Sequence, residues 1–101
     1  MTVMYEFSPD ANLLTIAING RFDFSLHQAF REAYETLTGR PDSVVLDLKK
    51  ATYLDSCALG MLLLLRVHAG GDDAVISVVN SSPDVRKTLT LSNFDKLFDI
   101  S

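Results

Sequence analysis

Val3, Tyr5 and Phe7 alternate with more polar neighbours, and Leu14, Ile16 and Ile18 repeat the alternation after Ser8-Pro9-Asp10-Ala11-Asn12. A period of two on either side of a turn-forming segment predicts two half-buried strands in a hairpin. Gly20 is expected to break the second strand. From Leu26 the apolar residues fall at Ala29, Phe30, Ala33, Tyr34 and Leu37, the spacing of an amphipathic helix. Ser25 is its expected N-cap and Gly39-Arg40-Pro41 its stop.

Val44 to Leu48 reads VVLDL, short, β-branched and almost wholly apolar, which predicts a central strand covered on both faces. Lys49 to Leu54 leads from it to Asp55-Ser56. An apolar helix is predicted from Cys57 to Ala69, ended by Gly70-Gly71, where glycine accepts a positive φ. Ala74 to Val79 (AVISVV) predicts another buried strand. Ser82-Pro83-Asp84 opens a further helix with a cap, a proline at its first position and an acid in its first turn. The tail, with Phe94, Leu97, Phe98 and Ile100, is expected to pack back on the body. The order β-β-α-β-α-β-α implies parallel neighbours joined by helical crossovers, with one antiparallel edge pair.

Composition narrows the class further. A chain of 101 residues, 48% hydrophobic and 22% charged, suits a single globular domain spanning 1–101. The net charge of −4 and the scattering of nine Lys and Arg argue against a nucleic-acid partner. The lone cysteine, Cys57, excludes an intrachain disulfide, and the opening MTVMYEFSPD lacks the plan of a signal peptide. The cytoplasm is the expected compartment. As a helix, Cys57 to Ala69 would span about 20 Å against a hydrocarbon core of about 30 Å, so no membrane insertion is expected.

A serine at a strand-to-helix junction, preceded by an acid and followed by small residues, is a distinctive place for a hydroxyl. Ser56 or Asp55 can cap the helix, and the same unpaired amides and dipole favour an oxyanion or phosphate. Nucleophilic catalysis needs a base nearby. His68 lies about 17 Å along the same helix from Ser56 and Cys57, His27 begins another helix, and no G-x-S-x-G turn is present. Both histidines are expected on helix surfaces. One cysteine and two histidines 41 positions apart give no metal-ligand spacing, and no glycine-rich loop for a cofactor phosphate is present. No enzymatic activity, metal or cofactor is expected. Cys57 reads as a small buried helix residue, although a helix N-terminus can depress a thiol pKa. Leu59, Met61, Leu62, Leu63, Leu64, Leu65 and Val67 make the helix apolar around most of its circumference. Burial of Leu63 and Leu64 is the direct expectation, and the alternative is an apolar face on the first turns kept for a protein partner.

The stretch VVLDLKKATYLDSCALGMLLLLRVHAGG resembles the central signature of STAS domains, the anti-sigma factor antagonist family, and NGRFDF at 19 to 24 resembles the family's turn between second strand and first helix. The similarity runs from about Tyr5 to Ile100. It implies an α/β fold with a mixed four- or five-stranded sheet flanked by helices. It further implies phosphorylation of a serine by a partner kinase, and a cycle of binding to that kinase or to an anti-sigma factor. By position the phosphoacceptor falls on Ser56, the preceding acid on Asp55, the turn acid on Asp23 and the first-turn glycine on Gly60. Cys57 and Ala58 stand where many members have serine and glycine, and Phe22 where leucine is usual. Asp23, Asp55, Cys57, Leu59 and Gly60 are the implied partner-binding residues. GRFDF, LDSCALGMLLLLR and SNFDKLF together resemble stand-alone antagonists in bacterial motility and biofilm control. These work with a serine kinase and phosphatase in a fused response-regulator protein. A small-ligand or nucleotide sensor is the competing class.

Overall fold

The computed structural model describes residues 2–35 and 39–100, and the side chains of 3–35 and 39–100. Strands β1 (Thr2–Ser8) and β2 (Leu13–Phe22) precede helix α1 (His27–Glu35), strand β3 (Ser43–Leu54) and helix α2 (Ser56–His68). Strand β4 (Ile76–Val79), helix α3 (Pro83–Leu91) and strand β5 (Asp99–Ile100) complete the order. The five strands form one sheet in the order β1-β2-β3-β4-β5. β1 runs antiparallel to β2, and every other neighbouring pair is parallel. The sheet is mixed, with its antiparallel pair at the edge, as the pattern predicts.

Alternation sets the two faces. Leu14, Ile16 and Ile18 of β2, Val44, Leu46 and Leu48 of β3, and Ile76 and Val78 of β4 are buried in one core. Phe30, Ala33 and Tyr34 of α1, Met61, Leu62 and Leu65 of α2, and Val85 and Leu89 of α3 close over them. The alternate positions Thr15, Ala17, Val45, Asp47 and Ser77 are only half-buried. The central strands are therefore covered fully on one face rather than both, which is why β3 carries Asp47 without an ion-pair cost: its carboxylate accepts from the Lys49 amide and the Asn80 side chain. β4 begins at Ile76, later than the expected Ala74, and Val75 is exposed.

Three further boundaries differ from expectation. β2 does not end at Gly20. It continues to Phe22, with irregular pairing to β3 between Ala17 and Asn19 and between Gly20 and Arg21, and Gly20 takes φ 94°. The glycine bends the strand at an irregularity instead of terminating it. β3 likewise continues through Lys49–Leu54, because that extension of β2 offers it a partner. The segment before α1 is a short 3₁₀ turn, Phe24–Leu26, capped by Asp23 rather than Ser25. Leu37, the last residue of the predicted helical pattern, lies outside the described residues.

Ala69 caps the end of α2, and Gly70 follows with φ 127°. A Cβ there would meet only the exposed, flexible Arg40 side chain, 2.9 Å from its Nη1, so it is the conformation that favours glycine. Phe94 and Phe98 of the tail are buried, with ring centroids 5.4 Å apart, Ile100 packs against the core, and Leu97 stays exposed. No helix of the described residues is long and apolar enough to cross a membrane.

Candidate partner-binding site

β2, β3 and β4 are parallel, so the segments leading from them into α1, α2 and α3 all leave the same end of the sheet. At the carboxyl ends of parallel strands, side chains of separate loops converge. Phe22 pairs with Leu54, which makes Asp23 and Asp55 the next residues on adjacent strands. The two acids are remote in sequence and neighbours in the fold.

Asp23 is extended (φ −134°, ψ −171°) and caps the 3₁₀ turn: its Oδ1 accepts from the Ser25 amide at 3.0 Å and from the Ser25 hydroxyl. Arg21 Nε lies 3.6 Å from Asp23 Oδ2. The hydrogen bonds from Ser25, hydroxyl first and amide second, hold the carboxyl below its ordinary value, and Arg21 adds to them. The Arg21 guanidinium carbon lies 4.1 Å from the centroid of the Tyr53 ring, which pairs with it across the strands. The acid is thus ionised, oriented and partly exposed.

Asp55 is also extended (φ −111°, ψ −177°), and its Oδ1 accepts from the Ala58 amide at 2.9 Å. Of the two residues able to cap α2, Asp55 does so. Ser56 is left at the first helical position, exposed, and its hydroxyl makes no hydrogen bond among the described residues.

Ala58, Met61, Leu62, Leu65 and Ala69 point into the core at helical spacing. That rotation turns Cys57 and Gly60 outward and leaves Leu59 half-buried against the core. Cys57 is exposed, not the buried residue the sequence suggested, because Ala58 takes the inward position. A Cβ at Gly60 would meet nothing within 4 Å, so the packing of the domain makes no demand for glycine there. Leu63 and Leu64 are not core residues: they are 40% and 56% exposed, and Val67 is 70% exposed. The outward apolar surface lies on the later turns of α2, not the first ones. A stripe of five inward positions satisfies the core, and the remaining leucines have no inward direction to take.

Two features were not singled out from sequence. Phe24 is 64% exposed and stacks on His27 with centroids 5.1 Å apart. Arg21 and Tyr53 meet only through the strand register. An aromatic between two polar residues at the end of a strand was a usable signal for Phe24, whereas the Arg21–Tyr53 contact has no sequence-local sign. His68 is exposed, His27 half-buried, and neither hydrogen-bonds to Ser56 or Cys57.

The sequence matches the family described as "Mlab, STAS domain" over residues 6–99. A STAS-domain containing protein of Pseudomonas aeruginosa (strain UCBPP-PA14) is 62% identical over 94 residues, covering 93% of each chain. Among solved structures, an anti-sigma factor antagonist from Mycobacterium paratuberculosis superposes with a TM-score of 0.75 at 21% identity, covering 98% of this chain and 83% of that one. The anti-sigma factor antagonist SpoIIAA in its unphosphorylated form gives 0.72 at 17%, covering 89% and 83%. At these identities the structures support the fold alone. The family match and the Pseudomonas relative carry the assignment: this chain belongs to the STAS domain family.

Proposed function

We propose that the protein is an anti-sigma factor antagonist, a binding module without catalytic activity that is switched by phosphorylation of Ser56 in a partner-switching pathway. In its unmodified form it sequesters an anti-sigma factor or a kinase, and a serine kinase and phosphatase set the fraction modified. The observation that carries this reading is the division of labour between Asp55 and Ser56: the cap is supplied by the acid, and the serine hydroxyl is exposed with no hydrogen bond of its own. The fold gives Ser56 no other task. A phosphate there adds about −1.5 to −2 charges next to unpaired helix amides that favour them.

Asp23, Asp55, Cys57, Leu59 and Gly60 frame the contact surface around Ser56, with Phe24 and Arg21 at its border. Gly60 leaves open space on the outward side of α2 in which a partner's backbone can approach. The test is recovery of the protein from a bacterial lysate, followed by phosphopeptide mass spectrometry and identification of co-purified chains. A kinase-like or anti-sigma protein in stoichiometric amount, with phosphate on Ser56 and not on other hydroxyls, is the expected result. Phosphate elsewhere, or the absence of any such chain, would overturn the reading.

A small-ligand or nucleotide sensor has one observation in its favour. A cavity of about 220 Å³ on the sheet is lined by Met4, Ala17, Ile18, Asn19, Asp47, Lys49 and Lys50, which combines apolar groups with one acid and two cations. A ligand-induced rise in melting temperature in the absence of any protein partner would favour this second reading.

A further inference from the structure

The two edges of the sheet are built differently. β5, at one edge, is two residues long and carries an exposed acid, Asp99. Short, charged edges offer little backbone for another strand to pair with. β1, at the other edge, is seven residues long and contains no proline, glycine or lysine. Its pairing with β2 runs without a register shift from Thr2↔Asn19 to Ser8↔Leu13, so no bulge twists the edge away. Met4 is 66% and Tyr5 49% exposed. Of the devices that ordinarily blunt an edge strand, shortness, proline, lysine and a bulge are absent from β1, which carries one charge, Glu6, whereas β5 is both short and charged.

We propose that β1 is a self-association surface, on which a second copy of this chain adds antiparallel about a two-fold axis through Tyr5 to join the two sheets into one. An antiparallel pair places residues of the same face opposite one another, which restricts a symmetric register to one centred on a residue. Centred on Tyr5, the register sets Tyr5 against Tyr5, Val3 against Phe7 and Met4 against Glu6 of the copy. Val3 and Phe7 are half-buried and already pack against the core, so the pairing completes the burial of an apolar row. Glu6, the strand's one charge, lies opposite Met4 of the copy and never opposite itself. The like-charge opposition that destabilises cross-strand pairs is thereby avoided. A heterologous peptide would need its own matching row, whereas the copy supplies it by symmetry. This inference is independent of Ser56 and its modification.

The test is sedimentation equilibrium of the full chain from low micromolar to about 0.5 mM, beside amide hydrogen exchange of β1. The apparent mass is expected to rise from 11.2 kDa towards twice that value, with exchange of the β1 amides slowing over the same concentration range. Tyr5→Lys places two cations face to face on the axis and is expected to raise the dimer dissociation constant at least tenfold. Met4→Lys places a cation opposite Glu6 of the copy and is expected to leave that constant unchanged or lower it. Both sites are exposed in the monomer, and thermal melts verify that each variant folds. Should Tyr5→Lys fail to fold, the Met4→Lys constant and the β1 exchange of the parent decide. A parent that stays at 11.2 kDa throughout would overturn the proposal. So would a dimer that is indifferent to Tyr5→Lys or weakened equally by Met4→Lys, and so would β1 protection conferred only by another protein's peptide.

Discussion

Helices α2 and α3 leave the same end of the sheet after neighbouring parallel strands, and each has a serine at its start, yet only one of the two hydroxyls has a hydrogen-bond partner among the described residues. Ser82 caps α3: its Oγ accepts from the Val85 amide at 3.2 Å, and Pro83 follows at the first helical position. At α2 the cap lies one residue further back relative to the serine, on Asp55, and Ser56 is displaced into the first turn. The helix bodies differ in the same sense. α3 buries Val85 and Leu89, turns Arg86 and Lys87 to water and exposes one large apolar residue, Leu91, at its last position, whereas α2 buries its stripe and still turns Leu63, Leu64 and Val67 outward. α2 carries the larger surplus: a hydroxyl with no hydrogen bond among the described residues and an apolar surface of three side chains that the domain itself leaves largely uncovered.

The largest expected effect separates the two sides of α2. Leu62, fully buried, should lose about 2 to 5 kcal/mol of stability on change to Ala, from the transfer and cavity terms together. Leu64→Ala should stay within about 0.5 kcal/mol, as for surface positions in general. Urea denaturation of both variants, with the slope unchanged, reads the difference. Equal losses would mean that Leu64 belongs to the core after all.

The next effect is on binding. Ser56→Asp puts a negative charge where a partner would bury a hydroxyl, and desolvating that charge should lower partner affinity at least tenfold, or about 1.4 kcal/mol. Ser56→Ala should keep the affinity. Titration calorimetry against the partner decides it: identical constants for parent, Ser56→Ala and Ser56→Asp would remove the switch from this surface.

A smaller effect tests the two serines directly. Ser82→Ala should cost about 1 kcal/mol, the usual loss for a missing N-cap oxygen, while Ser56→Ala should change stability by less than about 0.5 kcal/mol. Thermal melts of the pair measure the contrast. If Ser56→Ala were as costly as Ser82→Ala, the hydroxyl would have a structural task and the argument from its freedom would fail.

Sequence carried the fold further than it carried the site. The hairpin, the three helices and a mixed sheet with one antiparallel edge pair are legible in Val3/Tyr5/Phe7, in Leu14/Ile16/Ile18 and in the capping run Ser82-Pro83-Asp84, because local periodicity, capping chemistry and crossover lengths decide them, whereas β5 was legible only as a tail that packs back. Gly20 misled: a glycine in a strand can mark an irregularity as readily as an end, and only the extended pairing with β3 distinguishes the two. The rotation of α2 was illegible for a related reason. When nearly every position is apolar, periodicity does not choose the inward stripe, and the sheet beneath chooses Ala58, Met61, Leu62, Leu65 and Ala69. That choice exposes Cys57, Leu63 and Leu64 together. The neighbourhood of Asp23 and Asp55 follows from strand register, which a single sequence does not state.

The smallest expected effect lies at the third junction, where Asp23 stands to the turn before α1 as Asp55 stands to α2. Ser25 and Arg21 stabilise the ionised carboxyl, so its folded-state pKa lies below the unfolded one. For a depressed carboxylate, folding is favoured by the ionised form. The contribution is complete above the unfolded pKa and is lost as the pH falls through the folded value, the native state binding its proton last. Nuclear magnetic resonance titration of the Asp23 side chain should therefore find a midpoint below the ordinary carboxylate range, and Ser25→Ala should move it upward by removing the largest cause. Because the carboxylate is solvent-accessible and caps only a three-residue turn, Asp23→Ala should lower the melting temperature at neutral pH by no more than Ser82→Ala does, while weakening partner binding by more than that loss accounts for. A loss of stability that matches the loss of binding would make Asp23 a turn residue like Ser82 rather than a contact residue like Ser56. An unshifted midpoint would show that the Ser25 hydrogen bonds do not hold the carboxylate in solution, and the ordered anionic surface beside Ser56 would then lose one of its two acids.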